Sequence, residues 1–399
     1  MVSWKSLKIA TLVVLLGPGL QVQSQVAITI TSGYALGTAE SVMAEELLKK
    51  IASEVGNIEI TYLSDTTGSY GSIKERFSVS RVESDLVFLY AGMTEQIGEI
   101  AIAAERDLLQ PVDALPDFHS SVKPDDIYQN LLVPAFANGH LWAVPIRLSL
   151  PMIVVDEKLE SVPQTWADVH SMAKDAGILY TLPRERYMLW LTRLAQQGYR
   201  RFESGKYVHS SVHFTDVYHE IQSMLAAGPT NWSEPFSVGV VTSNSLLDIP
   251  QLSTGYKFCP IPAEGANDVY WFDAIWYIGV GAHVSGHKRE FISKILAGCL
   301  SSEIQQVFAD VLYSPPVRPS IAKSSLFLQT YKEGTPQRTA SEMTERLRFR
   351  SGGKLGRDTE SIMQAGFETS LSTSGFEEMY SKLAASCNEL IENQEIEGD

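Results

Sequence analysis

The sequence predicts an α/β protein built as two lobes, and three observations predict it. A chain of 399 residues is too long for one ordinary core and suits two, at roughly 100–200 residues per domain. Its first hundred residues read as β-α-β-α-β, and crossovers of that length demand parallel strands. With 44% apolar and 20% charged residues and no run of about 18 or more apolar residues, the composition is that of a globular protein and excludes an integral membrane protein.

The chain opens on an export signal. Lys5 and Lys8 form a positive start, residues 9–16 an apolar run, and Gly17-Pro18-Gly19 a break. Val22 and Ser24 then stand at the third and first positions before a cut that leaves Gln25 as the new N-terminus. The competing readings, a retained anchor or a short buried helix, are weaker because the run is too short to span and lacks a stop-transfer flank. Cys259, Cys299 and Cys387 are too widely spaced for a zinc or redox motif and read as buried small side chains. No cysteine stands directly after the signal, so lipid attachment at the mature N-terminus has no acceptor, and a periplasmic location is expected where the host has an outer membrane. The formal charge of −15 opposes phosphate backbones and anionic lipid, so no nucleic-acid partner is expected.

The elements follow in order. Residues 27–31 are a short β-prone run, 32–37 a turn, and 39–55 a helical pattern with Leu47, Leu48, Ile51, Ala52 and Val55 on one face. Ile58, Ile60 and Tyr62 alternate with polar residues as a second strand, and residues 85–90 are a nearly continuous apolar third. A parallel sheet presents its ligand loops at the strands' carboxyl ends, here residues 32–37, 64–68 and 90–93. Residues 141–148 and 152–156 are strand-like and separated by Pro151. Thr165 is placed to cap a helix, with Asp168 suited to its positive end and Gly177 to stop it. Helices are expected over 185–197 and 216–227, the latter capped at Thr215, and strands over 236–242 and 256–261. A buried strand at 274–282 precedes helices at 288–300 and 303–312. Residues 334–359 are polar and basic, with a loop at Ser351-Gly352-Gly353, and a last helix covers 376–392 before a frayed acidic tail.

Three phrases in this chain carry more than local structure. The first is Ser84-Asp85-Leu86-Val87-Phe88-Leu89-Tyr90-Ala91-Gly92, followed by Leu108-Leu109-Gln110-Pro111-Val112-Asp113. The second is Asn138-Gly139-His140-Leu141-Trp142-Ala143-Val144-Pro145-Ile146, then Ile153-Val154-Val155-Asp156-Glu157-Lys158-Leu159 and Pro163-Gln164-Thr165-Trp166-Ala167-Asp168. The third runs from Pro260-Ile261-Pro262 through Gly279-Val280-Gly281 to Phe308. In this order and spacing, covering most of the mature chain, they resemble the bacterial extracellular solute-binding proteins of the maltose-binding type, the sugar-binding family of ABC transporters. One departure is plain: Val154-Val155-Asp156 replaces the family's usual Tyr-Asn-Lys, so its tyrosine is not carried over.

The resemblance implies a two-lobed periplasmic-binding-protein fold with hinge-linked discontinuous domains. After a signal at 1–24, it implies an N-terminal lobe from 25–143 and 274–318 and a C-terminal lobe from 144–273 and 319–399, with hinges near 144–147 and 272–274. A small polar solute, above all a sugar, would lie between the lobes and favour the closed form, which the membrane permease of an ABC importer reads. A monomer is implied, with no cofactor and no bond broken.

Sugars present hydroxyls around apolar C–H faces, so a site for them needs aromatic platforms beside polar groups. Tyr34 follows the first strand and Tyr90 ends the third, and each reads either as a ligand contact or as loop packing. Asp65 ends the second strand, to accept from ligand hydroxyls or to cap the next helix. Arg147, just past Pro145 at the expected hinge, reads as a ligand fork or as one half of an interlobe salt bridge. Trp271, Asp273 and Trp276 belong to the densest aromatic cluster, the preferred stacking platform. Asn244, after Thr242 and Ser243, offers a small polar group or a plain turn. Tyr187 and Trp190 share a helix face, a pattern more common in cores. His209, His213 and His219 have no carboxylate in register, so no metal is expected, and Asn231-Trp232-Ser233 carries no meaning in a bacterial periplasm.

Signatures of catalysis are missing: no GxSxG, HExxH, GxxxxGK[ST] or strand-borne GxGxxG occurs. The enzyme alternative is a secreted carbohydrate-active hydrolase. It would need two carboxylates at about 5–9.5 Å, and only Asp65, Asp273 and Glu264 fall near the cleft. A binding protein that feeds a sensor is the other alternative.

Overall fold

The computed structural model describes residues 25–35, 39–65, 78–79, 82–92, 99–159, 161–174, 236–249, 254–263, 274–347 and 376–397, with shorter stretches within 179–225 and residue 252. The signal at 1–24 and the helix expected between the second and third strands lie outside the described residues.

Strand β1 (Val26–Ala35), helix α1 (Ala39–Val55) and strand β2 (Ile58–Asp65) form a parallel crossover, with Val26 opposite Ile58 and Ser32 opposite Ser64. Leu47, Leu48, Ile51 and Ala52 are buried, the face read from the 3.6-residue period. Strand β3 (Leu86–Gly92) lies parallel to β1 on its other side, Ile30 facing Leu86. Helix α2 (Glu99–Glu105) and the short strand β4 (Leu109–Gln110) follow. Two residues with positive φ, Asn138 and Gly139, then close a tight hairpin between Ala137 and His140, as twisted hairpins require of a two-residue turn.

The polypeptide next supplies β5 (Ala143–Ser149), every residue of which is buried, passes Leu150, and begins β6 (Pro151–Asp156). These adjacent strands belong to different sheets. The break expected at Pro151 falls at Leu150 instead; Pro151 is the first residue of β6, a position where a missing amide hydrogen is tolerated. Helix α3 (Trp166–Ala173), strand β7 (Leu179–Tyr180), helix α4 (Val212–Leu225), strand β8 (Val238–Thr242), the single turn α5 (Ser245–Asp248) and strand β9 (Tyr256–Cys259) build the second region. α4 begins at Val212, so Thr215 lies inside it and is not its cap.

Strand β10 (Ala274–Gly281) returns to the first sheet, followed by α6 (Lys288–Cys299) and α7 (Ser302–Leu312). The first sheet runs β2-β1-β3-β10-β4, with β5 also paired to β10; the second runs β7-β8-β6-β9. β10 is antiparallel to β3, β4 and β5. α6 approaches α1 at Gly298, where a Cβ would stand 2.7 Å from Ile51 Cγ2.

Part of the polar stretch after 334 is ordered by the second sheet. Helix α8 (Pro336–Thr344) starts with proline in its first turn and buries Thr339, Ala340 and Met343. Thr339 Oγ1 donates to the Phe258 carbonyl at 3.1 Å, and Phe258 N donates to the Gly334 carbonyl at 2.8 Å. The last helix, α9 (Phe376–Glu397), extends into the acidic tail that was expected to fray. It packs Tyr380 edge-on against the buried Trp190, ring centroids 5.8 Å apart, so Trp190 is a core residue. All three cysteines are buried and unbridged; burial pushes the Cys259 and Cys299 thiols up to about 12. No single helix among the described residues is long and apolar enough to cross a membrane.

Candidate ligand-binding site

Because β1, β2 and β3 are parallel, their carboxyl ends share one edge of the first sheet. The antiparallel partners complete that edge: Ala274 at the start of β10 lies between Gly92 at the end of β3 and Ser149 at the end of β5. Loops at such an edge are where an α/β sheet holds ligand.

The backbone brings several of the expected residues here. Asp65 is the last residue of β2 and pairs with Ala35; Tyr34, with Gly33, occupies an irregularity where β1 carries extra residues between Ser32 and Ala35. Tyr90, Trp276 and Arg147 form one transverse row, Trp276 being opposite Tyr90 on one side and Arg147 on the other. Trp271 and Asp273 lie outside the described residues, as do Glu264 and Tyr187.

Side-chain contacts join three of the residues directly. The Arg147 guanidinium carbon stands 4.1 Å from the centroid of the Trp276 ring, within the range of a cation–π contact. Arg147 Nη2 donates to Asn244 Oδ1 at 2.5 Å. Asn244 follows the end of β8, in the second sheet, so this bond crosses the seam between the sheets. The backbone closes the same seam: Asn244 N donates to Ser149 Oγ at 3.1 Å, and Ser243 N to the Leu150 carbonyl at 3.2 Å.

Local sequence explains why helix α5 does not draw the Asn244 carboxamide into its own cap. It stands at the N-cap of α5 but makes no capping bond. Thr242 does so in its place, its Oγ1 accepting from Ser245 N at 3.1 Å and pairing with the Ser245 hydroxyl at 2.8 Å, a side-chain turn of the kind these hydroxyls favour. Arg147 is 1% exposed and Trp276 5%. Trp276 therefore sits within the seam with the guanidinium over its ring, and Arg147 presents no appreciable surface to solvent.

Sequence reasoning passed over Ser149, Gln305 and Ser314, which hold the seam's backbone. A signal for Gln305 was present: with Phe308, Ala309 and Leu312 it occupies the i, i+3, i+4, i+7 positions of the buried stripe of α7. A polar residue on such a stripe needs buried partners.

A second cluster lies at the opposite edge of the same sheet. The Asp85 carboxylate accepts from Thr29 N at 2.9 Å, from Lys288 Nζ at 2.9 and 3.0 Å, and pairs with His283 Nε2 at 3.2 Å. A cavity of about 360 Å³ adjoins it, bordered by His287 and Val26. Its position at the amino ends of β1 and β3 gives it the job of tying those strands to the segment before α6. Among the described residues no group of three or more His, Cys, Asp or Glu side chains is placed to hold a metal.

No protein-family model matches the chain, and no curated protein matches it in sequence. Solved structures do match in fold. The cyclic α-maltosyl-1,6-maltose binding protein of Arthrobacter globiformis is 14% identical with a TM-score of 0.72, over 92% of this chain and 99% of that one. The sugar-binding protein MalE of Xanthomonas citri is 14% identical with a TM-score of 0.72, over 92% and 98%. UgpB of Mycobacterium tuberculosis, solved with glycerophosphocholine, is 14% identical with a TM-score of 0.71, over 92% and 99%. The chain has the two-lobed α/β fold of the maltose-binding type of periplasmic binding proteins, as its sequence phrases implied.

Proposed function

We propose that this fold serves here, as a non-enzymatic binding protein, to capture a small polar solute, a carbohydrate above all, and deliver it to an ABC importer. The observation that carries the reading is the row Tyr90–Trp276–Arg147 at the carboxyl edge of the first sheet, meeting Asn244 of the second at the seam. Aromatic and amide groups meet at one edge, beside the line about which two lobes would close.

In this reading each sheet anchors one lobe, and the boundary expected at 143/144 moves to Leu150, because β5 pairs with β10 of the first sheet along its length; the chain re-enters the first lobe at Ala274. Tyr34, Asp65, Tyr90, Trp271 and Asp273 contribute to the ligand face, while Arg147, Trp276 and Asn244 form the floor beneath it. The protein acts outside the cytoplasm, in the periplasm of a host with an outer membrane, as a monomer, with a membrane permease as partner. Sugar-binding proteins among its structural neighbours support this class of ligand, and the neighbour with glycerophosphocholine extends the range to phosphate-bearing polyols.

The test is thermal unfolding of the purified protein against mono- and oligosaccharides, polyols, amino acids, peptides and phosphate esters. A ligand present at 100 times its Kd and bound only by the folded state adds about 2.7 kcal/mol, so the midpoint rises clearly with carbohydrates and the compound is recovered intact. A rise confined to amino acids or peptides, or turnover of the bound compound, would contradict the reading.

A further inference from the structure

Just before the seam, β5 carries one residue more than its partner. Trp276 opposes Arg147, yet the next residue, Tyr277, opposes Pro145, so Ile146 is the extra residue of a bulge. A bulge gives up ladder hydrogen bonds and re-aims the side chains around it. Here the displaced backbone is taken up from α7 and the segment after it. Gln305 Nε2 donates to the Ile146 carbonyl at 3.0 Å, and Leu148 N donates to Ser314 Oγ at 3.2 Å. Gln305 is itself 1% exposed and fixed at both ends of its amide: Nε2 also donates to the Cys299 carbonyl at 3.1 Å, and Oε1 accepts from Val317 N at 2.9 Å. Pro145, having no amide hydrogen, fits at this irregularity in a strand paired on one side only. An irregularity held by two buried polar side chains is a built feature of the strand.

Beyond the bulge, Arg147 makes contact in two directions. Its plane lies over Trp276 of the first sheet, and its fork reaches Asn244 of the second. Arginine can do both at once because the guanidinium is flat and carries donors in its plane; lysine, a point charge, cannot. At 1% exposure it has no surface to give a solute.

We propose that Arg147 is a positioning residue of the cleft: the pinned bulge aims it across the seam, where it sets the angle between the two sheets and the plane of Trp276. This rests on reading the edge above it as the ligand site. It replaces both earlier readings of Arg147, as a fork for the ligand and as one half of an interlobe salt bridge. The ligand meets the surface that Arg147 has already arranged, and the chain at Ser149, Leu150 and Pro151 is the line about which the lobes turn.

The test needs no ligand, so its outcome is independent of whether a sugar binds. Small-angle X-ray scattering of the purified, ligand-free protein reads the spread of the lobes, with circular dichroism to verify the fold. A compact chain of this length has a radius of gyration of about 21 Å, and releasing the seam is expected to raise it by on the order of 1 Å. Arg147→Met, which removes stacking and donors but keeps length, and Asn244→Ala, which removes the carboxamide that accepts from Arg147, should each give that increase at unchanged secondary structure. The double variant should exceed neither single by more than error, because both cut the same tie, and Arg147→Lys should fall between wild type and Arg147→Met. If Arg147→Met does not fold, Asn244→Ala decides alone. Unchanged scattering in the folded variants, or additive increases in the double, would overturn the proposal.

Discussion

At Gly281 the chain ends β10 close against the Ser84 backbone. A Cβ there would stand 2.5 Å from the Ser84 carbonyl oxygen and 2.9 Å from the His283 ring; the first of these is main chain and cannot swing aside. Gly281→Ala is therefore expected to destabilise the protein by about 1–3 kcal/mol, read as a lower urea midpoint at unchanged slope. Among candidate residues, strand position was legible and side-chain environment was not. Tyr90 was singled out at the end of a strand, Arg147 at the expected hinge and Trp276 in the densest aromatic cluster, and the register lines the three up in one row. The burial of Trp276 beneath a guanidinium depends on the Ile146 bulge, and no periodicity in residues 143–149 announces an extra residue when every side chain there is apolar or buried.

Helix α3 shows how far local chemistry carries at the level of an element. Thr165 Oγ1 accepts from Asp168 N at 3.1 Å while Asp168 accepts from Thr165 N at 2.9 Å, the reciprocal capping box. Thr165→Ala should cost about 1 kcal/mol, measured by chemical unfolding. Bonds from Gln164 N, the Thr165 hydroxyl and Thr165 N hold the Asp168 carboxyl below its usual range. A lowered folded pKa means a contribution present above the ordinary carboxylate value and lost as pH falls through the lowered one. The stability gap between wild type and Asp168→Asn should thus close on acidification through that value and stay constant above pH 6. Caps and apolar runs were legible because each is decided within a few residues. Less so were α4, whose start at Val212 leaves Thr215 in its interior, and α8, whose polar sequence is ordered by packing on β6 and β9. Those depend on partners distant in the chain.

Across the whole molecule, two sheets are assembled from interleaved segments, the chain leaving the first at Leu150 and returning to it with β10. That exchange was legible only through the order of three phrases, since parallel strand pairing can be read from crossover length but the membership of β5, β6 and β10 in different sheets cannot. With Arg147 and Asn244 bridging the seam, a solute captured as proposed would select among lobe positions. The most direct measurement is the radius of gyration of the purified protein with and without a saturating amount of the carbohydrate that raises its unfolding midpoint most. Closure predicts a fall of on the order of 1 Å from about 21 Å, with the carbohydrate recovered chemically unchanged. A saturated protein whose radius does not move, or one that consumes the compound, would contradict capture by closure.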